Sequence, residues 1–319
     1  MRQIILGIET SCDDTGIGLV DLKTGLIGHN KFSSAEIQAS YGGVVPEIAA
    51  RVHAEQIIRV TNQVLVEYNI TVAEIVAIAY TQTPGLKGCL MVGGIFAETL
   101  GWIWNKPLIP LNHLYAHIFS VGINQPLVFP FMALVASGKT TSLYLVKALN
   151  QIELLNATVD DAIGECYDKV ARVMGLNYPG GPKIDALFDP NLQPASLAQQ
   201  PQAKKPFSYS GIKTAAINYW QTTNLDCDLL TRQKYLATAF QTWIIRSLVN
   251  KINFYMQAHD LNRIAIVGGV AANRFLRETL SNLNYEALLV NLEYATDNGA
   301  MIAYYGSLLY QEQEKNQKE

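Results

Sequence analysis

The sequence has little charge of either sign and no excess of positive charge. Charged residues make up 16% of its 319 positions, and the formal net charge is −3. That balance excludes the uniformly basic surface of a stand-alone nucleic-acid binder, so any such contact must come from a local patch or a partner. Cysteine is sparse: Cys12, Cys89, Cys166 and Cys227 form no CxxC pair. A thiol metal knuckle and a disulfide scaffold are therefore not expected, and reduced thiols are. No run of about 18 apolar residues occurs, which excludes a membrane-spanning helix. The opening MRQIILGIETS has neither the apolar core nor the cleavage site of a secretory leader. The expectation is a cytoplasmic protein without a membrane partner.

What is present is a full complement of core-forming residues, 49% hydrophobic by composition, in a chain long enough for two domains. Three short strand-like runs open it (QIILGIET, GIGLVDL, LIGHNKFS), separated by turn residues. A helical pattern follows from Pro46, with apolar residues at Ile48, Val52, Ile57 and Val60. VAIAYTQ reads as a buried strand, GCLMVGGIFAETLGWIWN as a helix, and PLIPLN as a strand leading into HLYAHIFSVG.

The pattern then restarts. FPFMALVAS, TSLYLVKAL and ELLNATV read as strands and DAIGECYDKVARVMG as a helix. Residues 177–212, rich in Gly, Pro, Gln and Lys, are expected to be largely loop. A long helix, the strand RIAIVGGV, the helix NRFLRETLSNLN, the strand ALLVN and a last helix from Asn298 complete the chain. Repeated strands followed by alternating helices and strands predict an α/β fold of two related lobes. The pattern resembles the ribonuclease-H-like lobes of the actin, hexokinase and sugar-kinase superfamily, with a central cleft. The expected boundaries are 1–128 for the N-terminal lobe, with helix 298–314 returning to it, 129–297 for the C-terminal lobe, and 311–319 as a polar tail.

The segment NHLYAHI sets His113 and His117 four residues apart. On a helix that spacing puts both imidazoles on one face, about 5–6 Å apart at Cβ. Metal ligation and simple packing both remain open on spacing alone. The zinc-peptidase motif HExxH needs a Glu after the first His as general base, and Leu114 stands there. Peptidase chemistry of that type is excluded. Asp297, in TDNGA, is a candidate third ligand and equally a candidate helix N-cap.

ALVASGKTT is a relaxed match to a phosphate-binding P-loop. A P-loop joins a strand to a helix, whereas TSLYLV alternates like a strand, so the stretch is read as a turn between two strands. Glycine clusters at 41–45, 178–185 and 267–274 sit at expected strand ends, where small residues let a backbone approach a nucleotide. Asp168, Asp185 and Asn273 lie in or beside them as candidate partners for a nucleoside.

Taken together, GIETSCDDT, YGGVVPEIAARVH, TPGLKGCLMVG, NHLYAHI, DDAIGECYDKVARVMGLNYPGGPKID, FSYSGIKTA, VGGVAANR and ATDNGAMIA resemble the TsaD family of tRNA N6-adenosine threonylcarbamoyltransferases, in family order and over nearly the whole chain. The resemblance implies one divalent metal per subunit on His113, His117 and Asp297, ferrous iron ahead of zinc. It implies threonylcarbamoyl-AMP as donor, with Asp168, Gly181, Asp185 and Asn273 at its adenylate part. Val135, Ala136, Ser137, Gly138 and Lys139 would face its threonylcarbamoyl-phosphate end. It implies transfer to N6 of the tRNA adenosine beside the anticodon, a catalytic role for Asp13, and TsaB-like and TsaE-like partner subunits.

The chain departs from the family pattern where SGGHTQL has become SGKTTSL, where a glycine has become Thr83, and where a histidine has become Gln38. These departures leave a second reading, a catalytically degenerate nucleotide-binding scaffold in a tRNA-modification complex.

Overall fold

A computed structural model describes residues 2–194, 196–223 and 227–317. Ten strands occur among them: β1 Ile4–Glu9, β2 Asp14–Asp21, β3 Gly25–Ser33, β4 Ile75–Thr83, β5 Leu108–Asn112, β6 Phe131–Ala136, β7 Thr141–Ala148, β8 Gln151–Ala157, β9 Arg263–Val267 and β10 Glu286–Leu289. The α-helices are α1 Ala35–Ala39, α2 Pro46–Glu67, α3 Lys87–Trp104, α4 His113–Phe119, α5 Ile163–Val173, α6 Gly180–Leu187, α7 Ser210–Thr222, α8 Leu229–Ala258, α9 Arg274–Ser281 and α10 Gly299–Asn316.

The chain divides into two compact units, one formed by residues up to Leu127 with those from Val290 onward, the other by Val128–Leu289. Each is built on a five-stranded sheet, in the orders β3-β2-β1-β4-β5 and β10-β9-β6-β7-β8. In the first, β1–β2 and β2–β3 are antiparallel while β1–β4 and β4–β5 are parallel. In the second, β6–β7 and β7–β8 are antiparallel while β6–β9 and β9–β10 are parallel. Read from the first strand of each, the two sheets have one topology: a meander on one side and parallel crossovers on the other. Two lobes of this kind are the architecture of the actin, hexokinase and sugar-kinase superfamily.

The central strands β1 and β6 are buried along their whole length, which is why they read as unbroken apolar runs rather than as alternating ones. In the first unit Ile4, Leu6 and Ile8 pack with Ile57, Val60 and Val64 of α2 and with Ala97 of α3. On these sequences the helix ends follow local chemistry. Pro46 occupies the first turn of α2, where its missing N–H is not needed, and Asn105 ends α3 in the left-handed conformation.

α10 approaches the first sheet backbone to backbone. A Cβ on Gly299 would lie 2.1 Å from the carbonyl carbon of Ile17, and one on Gly18 would lie 2.4 Å from Gly299. Only glycine allows that contact.

Two expectations change and a third gains detail. The second unit ends at Leu289 rather than at 297, because His29, Lys31 and His117 bond Glu293, Thr296 and Asp297 within the first. The region 177–212, loop for most of its length as expected, also contains α6 and the start of α7. Pro179 and Pro182 fall at the N-cap and in the first turn of α6, where proline is tolerated. Gly180 is there for close packing, as a Cβ would lie 2.5 Å from that of Ala171. Finally, α10 continues through residues 311–316 of the expected polar tail; Lys318 and Glu319 lie outside the described residues.

A candidate metal centre and nucleotide-facing loops

In the first unit the parallel strands β1, β4 and β5 run side by side and end together, the position at which α/β sheets carry their ligands. β1 ends in Glu9, β4 carries Thr81, and β5 ends in Asn112. Asn112 starts α4: its side-chain oxygen accepts from the backbone N–H groups of Leu114 and Tyr115. The helix therefore begins at His113, and His117 follows one turn later on the same face, the rings 4.6 Å apart and nearly perpendicular.

Asp297 reaches this pair from just before α10. Asn298, not Asp297, caps that helix, accepting from Met301 N–H at 2.9 Å. This releases Asp297 to place Oδ1 3.0 Å from His117 Nε2 and 3.6 Å from His113 Nε2. One ligand atom from each of the three residues lies within 4.8 Å of the other two.

Glu9, Ser11 and Thr81 surround the pair from behind. Glu9 is fully buried. It accepts from Ser11 N–H and from the Thr81 hydroxyl, and its Oε2 lies 3.0 Å from His113 Nδ1. Burial pushes the Glu9 carboxyl up, but the His113 imidazole and the hydrogen bonds outweigh it and leave the group below its ordinary value. Asp297 lies well below the usual carboxylate range: burial opposes ionisation, and His113, His117 and Lys31 more than offset it. Lys31 also donates to the Thr296 hydroxyl and to the Asp297 carbonyl.

This donor set fits a divalent cation. An ionised Glu9 holds the Nδ1 hydrogen of His113 and turns the Nε2 lone pair toward Asp297, the usual support behind a metal-bound imidazole. His117 is 1% exposed, and its Nδ1 has no hydrogen-bond partner, so the other nitrogen is the one with a role to play. Two imidazoles and a carboxylate suit iron or zinc. Sequence reasoning missed Glu9, although an acid ending an otherwise apolar strand was a signal available for it.

Asp13 lies in the bend between β1 and β2. Its carbonyl accepts from the N–H and hydroxyl of Ser34. The neighbouring Cys12 carbonyl lies 3.0 Å from Nε2 of the buried His53, whose Nδ1 is 2.7 Å from Thr15 Oγ1.

The remaining candidate residues are in the second unit. β6 and β9 are parallel neighbours, Val135 opposite Val267, so the segments after them emerge side by side. Val135 and Ala136 are fully buried strand residues, and of the stretch 135–139 only Ser137, Gly138 and Lys139 reach the surface. Ser137–Thr140 is a hairpin turn between antiparallel β6 and β7, closed by Ser137 N–H on the Thr140 carbonyl at 2.8 Å. A P-loop is thereby excluded. After β9 the chain turns at Gly268, whose φ of +88° favours glycine, and Asn273 then caps α9 through Leu276 N–H.

Asp168 on α5 accepts from Gly180 N–H at 2.7 Å, and burial raises its carboxyl above the ordinary value. Gly181 has open space where a Cβ would stand. Asp185 is 9% exposed and accepts from both the backbone N–H and the Nε of Arg274.

Among solved structures, the activator of the 2-hydroxyisocaproyl-CoA dehydratase from Clostridium difficile aligns over 99% of this chain and 98% of its own, with a TM-score of 0.55 at 12% identity. HypF from T. kodakarensis aligns over 98% of this chain and 48% of its own, with a TM-score of 0.66 at 12% identity. At those identities the likeness is one of fold, and it defines a two-lobed α/β protein of the actin-like class. The family profile described as "TsaD: tRNA N6-adenosine threonylcarbamoyltransferase" matches residues 25–304. Proteins named tRNA N6-adenosine threonylcarbamoyltransferase match almost end to end. That of Ureaplasma urealyticum serovar 10 is 45% identical over 99% of this chain and 98% of its own, and that of Mycoplasma pneumoniae 42% identical over 96% of each. The chain belongs to the TsaD family, enzymes of tRNA modification.

Proposed function

We propose that this chain transfers the threonylcarbamoyl group of threonylcarbamoyl-AMP to N6 of adenosine 37, beside the anticodon, in tRNAs reading ANN codons. The observation that carries this reading is the convergence of His113, His117 and Asp297, oriented from behind by Glu9, in a chain of this family. The N6 lone pair attacks the carbamoyl carbon, the bond from that carbon to the phosphate oxygen breaks, and AMP leaves with the electron pair.

A ferrous or zinc ion held by the three ligands would supply Lewis acidity for charge developing on carbonyl and phosphate oxygens. The rest falls to the chain itself. Glu9 keeps the proton on His113 Nδ1. Asp168, Gly181, Asp185 and Asn273 take the adenylate. Ser137, Gly138 and Lys139 face the threonylcarbamoyl-phosphate end, where Lys139 adds a positive charge absent from the family pattern. Asp13 orients the tRNA adenine or takes up the N6 proton.

Partner subunits of the TsaB and TsaE kinds complete the system in the cytoplasm. The outward face of α3 supports a protein contact, since Met91, Ile95, Trp102 and Ile103 are all exposed there. No helix among the described residues is long and apolar enough to cross a membrane. For tRNA, the exposed Lys204 and Lys205 are better placed than Lys213, which pairs with Asp161.

The test is reconstitution of the purified chain with threonylcarbamoyl-AMP, unmodified tRNA and both partners, followed by nucleoside mass spectrometry. Threonylcarbamoyladenosine should form, and should disappear with His113→Ala. Metal and adenylate binding without any modified nucleoside would establish the scaffold reading instead.

A further inference from the structure

Gln241 lies in the middle of α8 and is fully buried. A buried primary amide must satisfy both a donor and an acceptor end. Gln241 does so on the two side chains assigned above to the adenylate. Its Nε2 donates to Asp185 Oδ1 at 3.0 Å. Its Oε1 accepts from Asn273 Nδ2 at 2.8 Å and from the Tyr167 hydroxyl at 3.3 Å. The sense of the amide is therefore set, because the reversed orientation would oppose oxygen to carboxylate and NH2 to NH2.

The consequence for the two partners is specific. Asn273 is held at both ends, by Leu276 N–H on its oxygen and by Gln241 on its nitrogen. Asp185 accepts from Gln241 on one oxygen and from Arg274 N–H and Nε on the other, at 3.3 and 3.0 Å. A carboxylate offers about four acceptor directions, so these bonds leave room for one more donor, such as a sugar hydroxyl.

We infer that Gln241 is a positioning residue for the adenylate: without touching the nucleotide, it orients Asp185 and Asn273 together as one unit. This rests on the reading that those two residues bind the adenylate. A purely structural Gln241 would tie α8 to α6 and α9 without linking the two residues in binding, and the two accounts differ in coupling.

The experiment is calorimetric titration of AMP into the full chain, in a double-mutant cycle of Gln241→Met and Asp185→Ala, with Asn273→Ala alongside. Gln241→Met preserves length and flexibility while removing every amide bond. It should weaken AMP binding about tenfold on its own, the size expected when hydrogen-bonding groups lose their orientation, and should cost clearly less on top of Asp185→Ala, where only the hold on Asn273 is left to lose. Gln241→Glu still accepts from Asn273 and Tyr167 but cannot donate to Asp185 when ionised. It should weaken binding in the same way, and it takes over the cycle if Gln241→Met does not fold. If Asp185→Ala and Asn273→Ala weaken AMP while the Gln241 variants have no effect or simply add theirs, the positioning role is overturned and the adenylate reading stands. If Asp185→Ala and Asn273→Ala leave AMP binding unchanged, both fall.

Discussion

Glu9 and His113 are 104 residues apart in the chain and meet at 3.0 Å between Oε2 and Nδ1. The contact decides the chemistry of the site. A buried carboxylate on Nδ1 keeps the hydrogen there, so that Nε2, on the side of Asp297, carries the lone pair. Thr81 and Ser11 complete the shell of Glu9 from β4 and from the turn after β1.

Glu9→Gln removes the charge that sets this tautomer. Metal affinity should fall by about 10- to 100-fold, the usual effect of losing such a support. Competition with a chromophoric chelator measures it, and an unchanged affinity would remove Glu9 from the site.

Asp297 and Asn298 are neighbours with separable jobs. Asn298→Ala should cost about 1 kcal/mol of stability through the lost cap of α10, with metal stoichiometry retained. Asp297→Ala should do the reverse, leaving the cap in place and reducing metal content. Thermal unfolding together with elemental analysis of both variants separates the two effects. Equal metal loss in both would show that the cap and the ligand act as one.

Gly299→Ala places a methyl group 2.1 Å from the backbone of Ile17. Neither backbone can move without disturbing the sheet, so the variant should lose about 3 kcal/mol or more and shed metal as Asp297 is displaced. Denaturant unfolding checks the first part, and a loss below about 1 kcal/mol would show that α10 can shift cheaply.

Asp161 in the second unit accepts from Lys169, Lys213 and Ser210. Burial works against its ionisation, but the two lysines and the serine hold the carboxyl well below the usual carboxylate range. A group depressed on folding stabilises the protein above its unfolded pKa of about 4 and loses that contribution as pH falls through its folded value. Asp161→Asn should therefore lower stability at pH 7 and flatten the decline of stability below about pH 4. Urea midpoints across pH 3–7 test it, and parallel curves for the two proteins would refute it.

Much of this molecule is legible in local sequence. Strand and helix periods show through the two repeats, the P-loop is excluded by the strand that follows it, and the missing Glu after His113 rules out peptidase chemistry of the HExxH type. The failures share a cause. Pro179, Gly180, Gly181 and Pro182 look like loop residues, yet they start α6, because Asp168 accepts from Gly180 and Ala171 packs against it. For Val135 and Ala136, too, local pattern does not show that strand pairing buries their side chains and leaves Ser137, Gly138 and Lys139 at the surface.

Asp297 could be a cap or a ligand on sequence grounds. The residue next to it took the capping role, and that depended on how α10 lies on β1 and β2. Hydrophobic period, proline placement and turn residues act over a few positions, so the chain's own order settles the two-lobed α/β fold and the candidate ligands. Which nitrogen of His113 is offered, and which side chain Gln241 orients, depend on atoms brought within 3 Å from across a sheet or between helices. Only the packing of the folded chain decides those.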